Sequence, residues 1–198
     1  SIGTIFISEF TKKLTQRLHK NFYKKNIVIN NTVPTFLFNP NGPNKRNLLN
    51  IEEDEFVIIV SSAWRRHKRL KEILELFEIL KKKIKKLKLI ILGEVKDFHK
   101  NDDIIYAGKI EPSKLPDWYR TGNIYINLAW IDHNPNTLAE AIACGLPSIC
   151  TNNGGNRELI VDFFCFLSFK ISFLIIPANF CILKNTSFDS TIGFLVVG

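Results

Sequence analysis

The sequence predicts an α/β fold with a Rossmann-like parallel sheet, preceded by a shorter strand-helix-strand unit. Two observations lead to this prediction. From Glu55 onward, short apolar runs alternate with stretches in which apolar residues recur at helical spacing. The run Phe56–Val60 is apolar at every position, as expected of a parallel strand that is buried on both faces. Repeated βα units imply right-handed crossovers, so the carboxyl ends of the strands share one edge, where ligands bind.

Residues 1–33 form the predicted strand-helix-strand unit. Ile5–Ile7 is apolar, and Ser8 is a suitable N-cap for a helix that extends to about Lys20. A second apolar run follows within Asn26–Asn30. Residues 34–54 contain three prolines, a glycine and several asparagines, which predicts a linker between two domains.

Residues 55–162 form the predicted Rossmann-like domain. After the strand Phe56–Val60, apolar residues recur at helical spacing from Leu70 to Leu87, which predicts an amphipathic helix. We expect Asn134 to cap the helix of Asn134–Cys144, and Gly145 to stop it. The remaining elements are predicted as strands over Leu87–Leu92, Ile104–Ala107, Ile124–Trp130 and Ser148–Thr151, and as a helix over Pro112–Thr121.

Residues 163–184 depart from this pattern. They are rich in Phe and Ile, but these apolar residues recur neither at the spacing of a strand nor at that of a helix. A membrane-spanning helix is disfavoured, since the run is short and is interrupted by Lys170 and Pro177. We expect a non-native insertion, such as translated non-coding sequence, after which residues 185–198 resume a truncated end of the domain. The absence of Met supports the expectation of a partial chain.

The net charge of +8 indicates an anionic partner or surface. Much of the excess lies between Arg65 and Lys88, where we expect a solvated, lysine-rich helix end. A peripheral membrane contact is the second expectation, and nucleic acid is disfavoured because no nucleic-acid-binding module is recognisable. The four cysteines form no CxxC pair, which favours a reduced, cytoplasmic protein, with the cytoplasmic face of a membrane as the alternative location.

The stretch Ile131–Leu159 combines two carboxylates, a helix and a Gly-Gly turn. Asp132 lies in a polar loop, and Glu140 lies roughly 8 Å along the following helix at ~1.5 Å per residue. The amino end of a helix attracts anions, and the turn at Gly154-Gly155 allows close approach of a backbone to a phosphate. This arrangement favours the binding of a sugar nucleotide.

The same stretch resembles the donor-binding signature of the group 1 glycosyltransferases, which are retaining enzymes of the GT-B fold. Their pattern is an acidic residue, seven residues, a Glu in an EA-x-A-x-G-x-P helix, and then a GG-x-x-E turn. Here these positions are Asp132, Glu140 and Gly154–Glu158, although the first acid is usually Glu in the family. The family also has G-R-x-x-x-x-K-G, in which Lys68 matches the Lys, while Ala63 replaces the Arg and Arg65 lies nearby.

The resemblance implies that the chain is the C-terminal, donor-binding half of a GT-B fold, with residues 1–33 as a remnant of the N-terminal acceptor domain. It implies transfer of a hexose from a UDP- or GDP-sugar to a saccharide or lipid-linked acceptor, with retention and without a cofactor or metal. Asp132 would contact the sugar, Lys68 and Arg65 would steady the diphosphate, and Glu140 would hold the ribose. The other donor-binding residues implied are Asn136, Thr137, Gly154 and Gly155.

Two alternatives stay open at this point. The chain could bind nucleotide sugars without turnover, because most of the N-terminal domain is missing. It could instead be a basic protein that binds membranes or RNA, in which case binding would be salt-sensitive and would survive Glu140→Ala.

Overall fold

The computed structural model describes residues 3–19, 25–97 and 101–159 and the strand Phe180–Leu183. Its N-terminal unit consists of strand β1 (Thr4–Phe6), helix α1 (Glu9–Leu18) and strand β2 (Asn26–Val28), and the two strands pair in parallel. The predicted cap of α1 is confirmed, because Ser8 Oγ accepts a hydrogen bond from the amide of Thr11 at 3.1 Å.

The larger unit contains a six-stranded sheet in the order β5-β4-β3-β6-β7-β8, in which β3 to β7 are parallel and β8 is antiparallel to β7. Along the chain, a helix lies between most successive parallel strands. Two of these helices are preceded by 3₁₀ turns, at Arg66–Lys68 and at Pro112–Lys114. The α/β fold with a parallel sheet is therefore confirmed. The elements are β3 (Phe56–Ser61), α2 (Leu70–Lys81), β4 (Leu87–Leu92), β5 (Ile104–Gly108), α3 (Leu115–Tyr119), β6 (Ile124–Asn127), α4 (Asn136–Ala143), β7 (Ser148–Thr151), α5 (Asn156–Leu159) and β8 (Phe180–Leu183).

Apolar side chains cover both faces of the sheet. Along β3, Val57 and Ile59 face one cluster and Ile58 and Val60 face the other, as the alternation of a strand requires. Helix α2 packs on the second cluster, whereas the first cluster contains side chains of α3 and α4. Burial on both faces explains why β3 carries no polar residue between Phe56 and Val60.

Three predicted helices have other bounds in the structure. The helix predicted over Pro112–Thr121 is a 3₁₀ turn at Pro112–Lys114 followed by α3, which ends at Tyr119. Helix α2 ends at Lys81, so Ile84 and Leu87 lie outside it, and Leu87 begins β4. Helix α4 is preceded by Pro135 without a side-chain cap, and the side-chain NH₂ group of Asn134 donates to the carbonyl of Ile7 at 2.6 Å while its Oδ1 accepts no bond from the helix. The Asn134 side chain is thus oriented by a distant part of the chain and not by the helix that follows it.

The predicted stop of α4 at Gly145 is confirmed. Gly145 has φ +79°, which favours glycine, and its amide donates to Ile142 while that of Leu146 donates to Ala141. These two bonds form the Schellman arrangement that closes the last turn of a helix. The predicted strand Ile124–Trp130 is shorter than expected and ends at Asn127, which leaves Leu128 to Pro135 as a loop.

Most lysines of the basic segment between Lys81 and Lys88 are exposed, as predicted, but several form ion pairs, and those after Lys81 lie beyond the end of α2. Lys86 contacts Glu52 and Asp54, at 2.7 Å in each case, and Lys88 lies 3.1 Å from Asp103. The segment of residues 34–54, predicted as a linker, contributes buried side chains to the first apolar cluster.

Most of the atypical segment 163–184 and all of residues 185–198 lie outside the described residues, so the predictions made for them stay predictions. The described part, β8, pairs with β7 in the register Ser148 to Leu183. Among the described residues, no helix is both long enough and apolar enough to cross a membrane.

Candidate functional site

The predicted site residues lie at the carboxyl edge of the parallel sheet. Lys68 lies in the 3₁₀ turn after β3, Asp132 in the loop after β6, and Gly154 in the turn after β7. Because parallel strands end at the same edge, these three segments meet there although they are far apart in sequence.

Lys68 and Asp132 form an ion pair at this edge of the sheet. Lys68 Nζ lies 2.5 Å from Asp132 Oδ2, and the two side chains are only 19% and 18% exposed. A pair this well shielded from solvent interacts more strongly than a surface ion pair. The cation predicted for the diphosphate and the acid predicted for the sugar are therefore in direct contact.

Glu140 lies on helix α4, and its hydrogen-bond partner is not a member of the Lys68–Asp132 ion pair. Its Oε2 accepts a hydrogen bond from the Tyr119 hydroxyl at 2.9 Å. Burial raises the pKa of the Glu140 carboxyl, and the hydrogen bond from Tyr119 opposes part of this rise. Burial also raises the pKa of the Tyr119 phenol, so Tyr119 stays a proton donor to this carboxylate near neutral pH.

A second buried tyrosine lies beside the first. The Tyr125 hydroxyl contacts Thr137 Oγ1 at 2.9 Å and the carbonyl of Ser61 at 3.1 Å. The rings of Tyr119 and Tyr125 meet edge to face, with centroids 6.0 Å apart. This pair joins the end of β3 to α4 and so fixes the helix that carries Glu140.

The side chains of Arg65 and Asn136 are exposed. Arg65 lines an open cavity of about 910 Å³ at the ends of β3 and β4, and Lys68 is not among the residues that line it. Asn136 Oδ1 accepts a hydrogen bond from the side-chain amide of Asn31 at 2.8 Å. The structure thus pairs Lys68 with Asp132, whereas Arg65 lines the cavity at the ends of β3 and β4.

The Gly-Gly turn packs against the loop that carries Asp132. Gly154 has φ +65°, and a Cβ at this position would overlap the carbonyl oxygen of Asp132. A Cβ at Gly155 would overlap the carbonyl of His133, and the Gly155 amide donates to the carbonyl of Asp132 at 2.7 Å. Contact between two backbones is therefore one physical reason for both glycines. Contact with a phosphate or sugar stays a prediction.

Sequence reasoning did not assign a functional role to Tyr119, Tyr125 or Glu158. The two tyrosines support α4 through contacts between residues at least 12 positions apart, which no local pattern reveals. Glu158 was recognised only as the last residue of the GG-x-x-E motif. In the structure its carboxylate accepts two hydrogen bonds from backbone amides of α1.

The family model described as "Glycosyl transferases group 1" matches residues 42–172, more than half of the chain. The match includes Lys68, Asp132, Glu140 and the Gly-Gly turn. The chain belongs to the group 1 glycosyltransferases. Among curated proteins, this member of the family is similar to Protein CapJ of Staphylococcus aureus, with 29% identity over 66 residues, 33% of this chain and 17% of CapJ.

Solved glycosyltransferase structures share the fold. Sucrose-phosphate synthase from Thermosynechococcus elongatus superposes with a TM-score of 0.67 at 19% identity, over 79% of this chain and 42% of the synthase. The pneumococcal O-GlcNAc transferase GtfA, in complex with UDP and GlcNAc, gives 0.60 at 19% identity, over 81% of this chain and 32% of GtfA. A glycosyltransferase from Rickettsia africae gives 0.60 at 20% identity, over 78% and 45%. This group 1 glycosyltransferase chain therefore spans less than half the length of each of these proteins.

Proposed function

We propose that this chain is the donor-binding part of a retaining glycosyltransferase that moves a hexose from a UDP- or GDP-sugar to a saccharide or lipid-linked acceptor. The observation that carries the proposal is the shielded pair of Lys68 and Asp132, which lies within the region matched by the family. A cation for a diphosphate and an acid for a sugar are the two groups that such a donor requires side by side.

The chemistry explains the cation. When the glycosidic bond to the donor breaks, negative charge grows on the leaving diphosphate, and its stabilisation is usually the largest contribution that a protein makes. Asp132 neutralises Lys68 before the donor binds. Donor binding then exchanges partners, so that the diphosphate takes the ammonium group and a sugar hydroxyl donates to the freed carboxylate.

Glu140 is proposed to hold the ribose. Tyr119 occupies Oε2, and among the described residues the structure gives Oε1 no hydrogen-bond partner. This oxygen is therefore the one that would accept a ribose hydroxyl. Burial removes water from this carboxyl and so raises its pKa. The ionised carboxylate is therefore stabilised by an additional hydrogen-bond donor. Asn136, Thr137 and the Gly-Gly turn would complete the site.

The cavity at the ends of β3 and β4 would receive the rest of the nucleotide. Its volume of about 910 Å³ falls within the range of about 300–1,000 Å³ typical of small-molecule sites. Arg65, Trp64 and Lys109 line it, so it offers cations and an aromatic surface to an anionic nucleotide. We expect no metal or cofactor, because these cations would perform the neutralisation.

A calorimetric titration with UDP, GDP and their hexose derivatives tests the proposal. We expect the wild-type chain to bind one nucleotide family, and Glu140→Ala to weaken that binding at least tenfold. Glu53→Ala is the matched control, because Glu53 is an exposed glutamate. Binding that survives Glu140→Ala but disappears at high salt would refute the proposal and favour the reading as a basic RNA- or membrane-binding protein.

The second candidate is a nucleotide-sugar-binding module without turnover. The observation that favours it is that the described residues supply the contacts proposed for a donor, whereas none of them is assigned to an acceptor. An assay for transfer or donor hydrolysis separates the two candidates, since only the enzyme releases free nucleotide from the donor. The predicted peripheral membrane contact can be tested in parallel with anionic vesicles.

A further inference from the structure

The loop that carries Asp132 has no regular structure of its own. Residues 128–135 lie outside helices and strands, so their backbone position depends on partners elsewhere. The Trp130 amide donates to the carbonyl of His67 at 2.9 Å, and the Gly155 amide donates to the carbonyl of Asp132 at 2.7 Å. These bonds attach the loop to the 3₁₀ turn after β3 and to the turn after β7.

The N-terminal unit forms a third support of the same loop. The side-chain amide of Asn134 donates to the carbonyl of Ile7, at the end of β1, at 2.6 Å. The ring of His133 lies against the ring of Phe10, with centroids 5.9 Å apart. Asp132 is therefore followed directly by two residues that contact β1 and α1.

Glu158 joins the turn after β7 to α1. Its Oε2 accepts a hydrogen bond from the amide of Glu9 at 2.7 Å, and its Oε1 accepts one from the amide of Phe10 at 2.6 Å. These amides belong to the first turn of α1, where no carbonyl of the helix is available to them. A carboxylate is the favoured partner there, because the amino end of a helix is positively polarised.

The segment that carries Glu158 is itself anchored to the sheet. The side-chain amide of Asn156, which is fully buried, donates to Thr151 Oγ1 at 2.9 Å and to the Thr151 carbonyl at 3.2 Å. The Thr151 hydroxyl in turn donates to the carbonyl of Ala129, near the start of the Asp132 loop. Hydrogen bonds at both ends of the short helix α5 therefore connect α1, through Glu158 and the α5 backbone, to this loop.

We propose that Glu158 is a positioning residue. By accepting both amides, it holds the N-terminal unit against the Asp132 loop and so sets where the Asp132 carboxylate meets the sugar of the donor. The inference deepens the proposed function and rests on it. Glu158 acts through the loop and does not contact the donor, so its loss affects recognition of the sugar and spares recognition of the nucleotide.

The variant Glu158→Gln tests this inference in the full chain, with Glu53→Gln as the matched exposed control. The glutamine keeps one acceptor oxygen but presents an NH₂ group to the second amide, which it cannot accept. We expect amide hydrogen exchange at Glu9 and Phe10 to become at least tenfold faster. Affinity for the free nucleoside diphosphate should stay within twofold, while affinity for the nucleotide hexose falls at least fivefold. Glu158→Asp, which keeps the charge, should restore part of both losses.

Two results would overturn the inference. Exchange at Glu9 and Phe10 that stays unchanged in both variants would show that Glu158 does not hold α1. An unchanged ratio of the two affinities, with faster exchange, would show that the contact does not position Asp132. A wild-type chain that binds no nucleotide at all would instead refute the proposed function and the sugar-recognition part of this inference, whatever the exchange data show.

Discussion

Replacement of Gly154 by alanine tests whether the Gly-Gly turn is needed for contact between two backbones. The chain offers a matched control in Gly108, at the end of β5. The two glycines have nearly equal positive φ angles, +65° for Gly154 and +69° for Gly108. They differ in their surroundings, because a Cβ at Gly108 meets nothing within 4 Å, whereas a Cβ at Gly154 overlaps the carbonyl of Asp132.

The expected magnitudes follow from this difference. Left-handed backbone costs an L-residue about 1–2 kcal/mol, and this cost applies to both variants. Overpacking against a neighbour that has to shift adds about 1–3 kcal/mol, and this cost applies to Gly154→Ala alone. The gain from a less flexible unfolded chain is common to both and cancels in the comparison. We therefore expect Gly154→Ala to lose more unfolding free energy than Gly108→Ala by about 1–3 kcal/mol.

Urea denaturation followed by tryptophan fluorescence measures both losses under the same conditions. A calorimetric titration with the nucleotide hexose should also show weaker binding to Gly154→Ala, because relief of the overlap displaces the backbone of Asp132. Equal unfolding free energies for the two variants, within about 0.5 kcal/mol, would refute the reasoning, since that spread is expected of unrelated surface changes.

Three further predictions concern the carboxylates. Tyr119→Phe removes the hydroxyl that donates to Glu140 and should cost about 1–3 kcal/mol in urea denaturation, because a partly buried acceptor is left unsatisfied; no loss would contradict the hydrogen bond. Because burial raises the pKa of Glu140 in the folded chain above its ordinary 4.5, this carboxyl ionises in the unfolded chain first as the pH rises past that value, which favours unfolding until the folded carboxyl ionises as well. The unfolding free energy of wild type should therefore fall relative to Glu140→Gln as the pH rises above 4.5, and a pH-independent difference would count against this. Asp132→Asn should raise affinity for the free nucleoside diphosphate, since it releases Lys68 from its ion pair, and should lower transfer, since it removes the carboxylate proposed to contact the sugar. Calorimetry that shows weaker binding of the diphosphate to this variant would exclude the proposed exchange of partners.

Local patterns were sufficient to predict most elements of the fold. The strands Leu87–Leu92 and Ser148–Thr151 were predicted with the observed bounds, and Ser8 and Gly145 begin and end their helices as expected. These features depend on side-chain periodicity or on backbone conformations that a single residue type favours. The helix after β3 was predicted too long, because apolar residues that belong to the next strand happen to continue its spacing.

The contacts within the site required the tertiary structure. Asn134 is a good cap by residue type, but its side chain is oriented by a donor contact with the carbonyl of Ile7, and its Oδ1 does not cap the helix. The spacing of the motifs placed Lys68 and Asp132 at one edge of the sheet, yet only the packing of separate loops brings them into an ion pair.

The sequence by itself determined the alternation of strands and helices, the edge at which a ligand would bind and the family to which the chain belongs. These depend on residue periods and on motifs within short windows. The tertiary structure alone decided that Tyr119 supports Glu140 and that Glu158, 149 residues from Glu9, completes the first turn of α1. These residues become partners because the fold brings them close together in space. A pattern within a short stretch of sequence does not show which distant residues will be close.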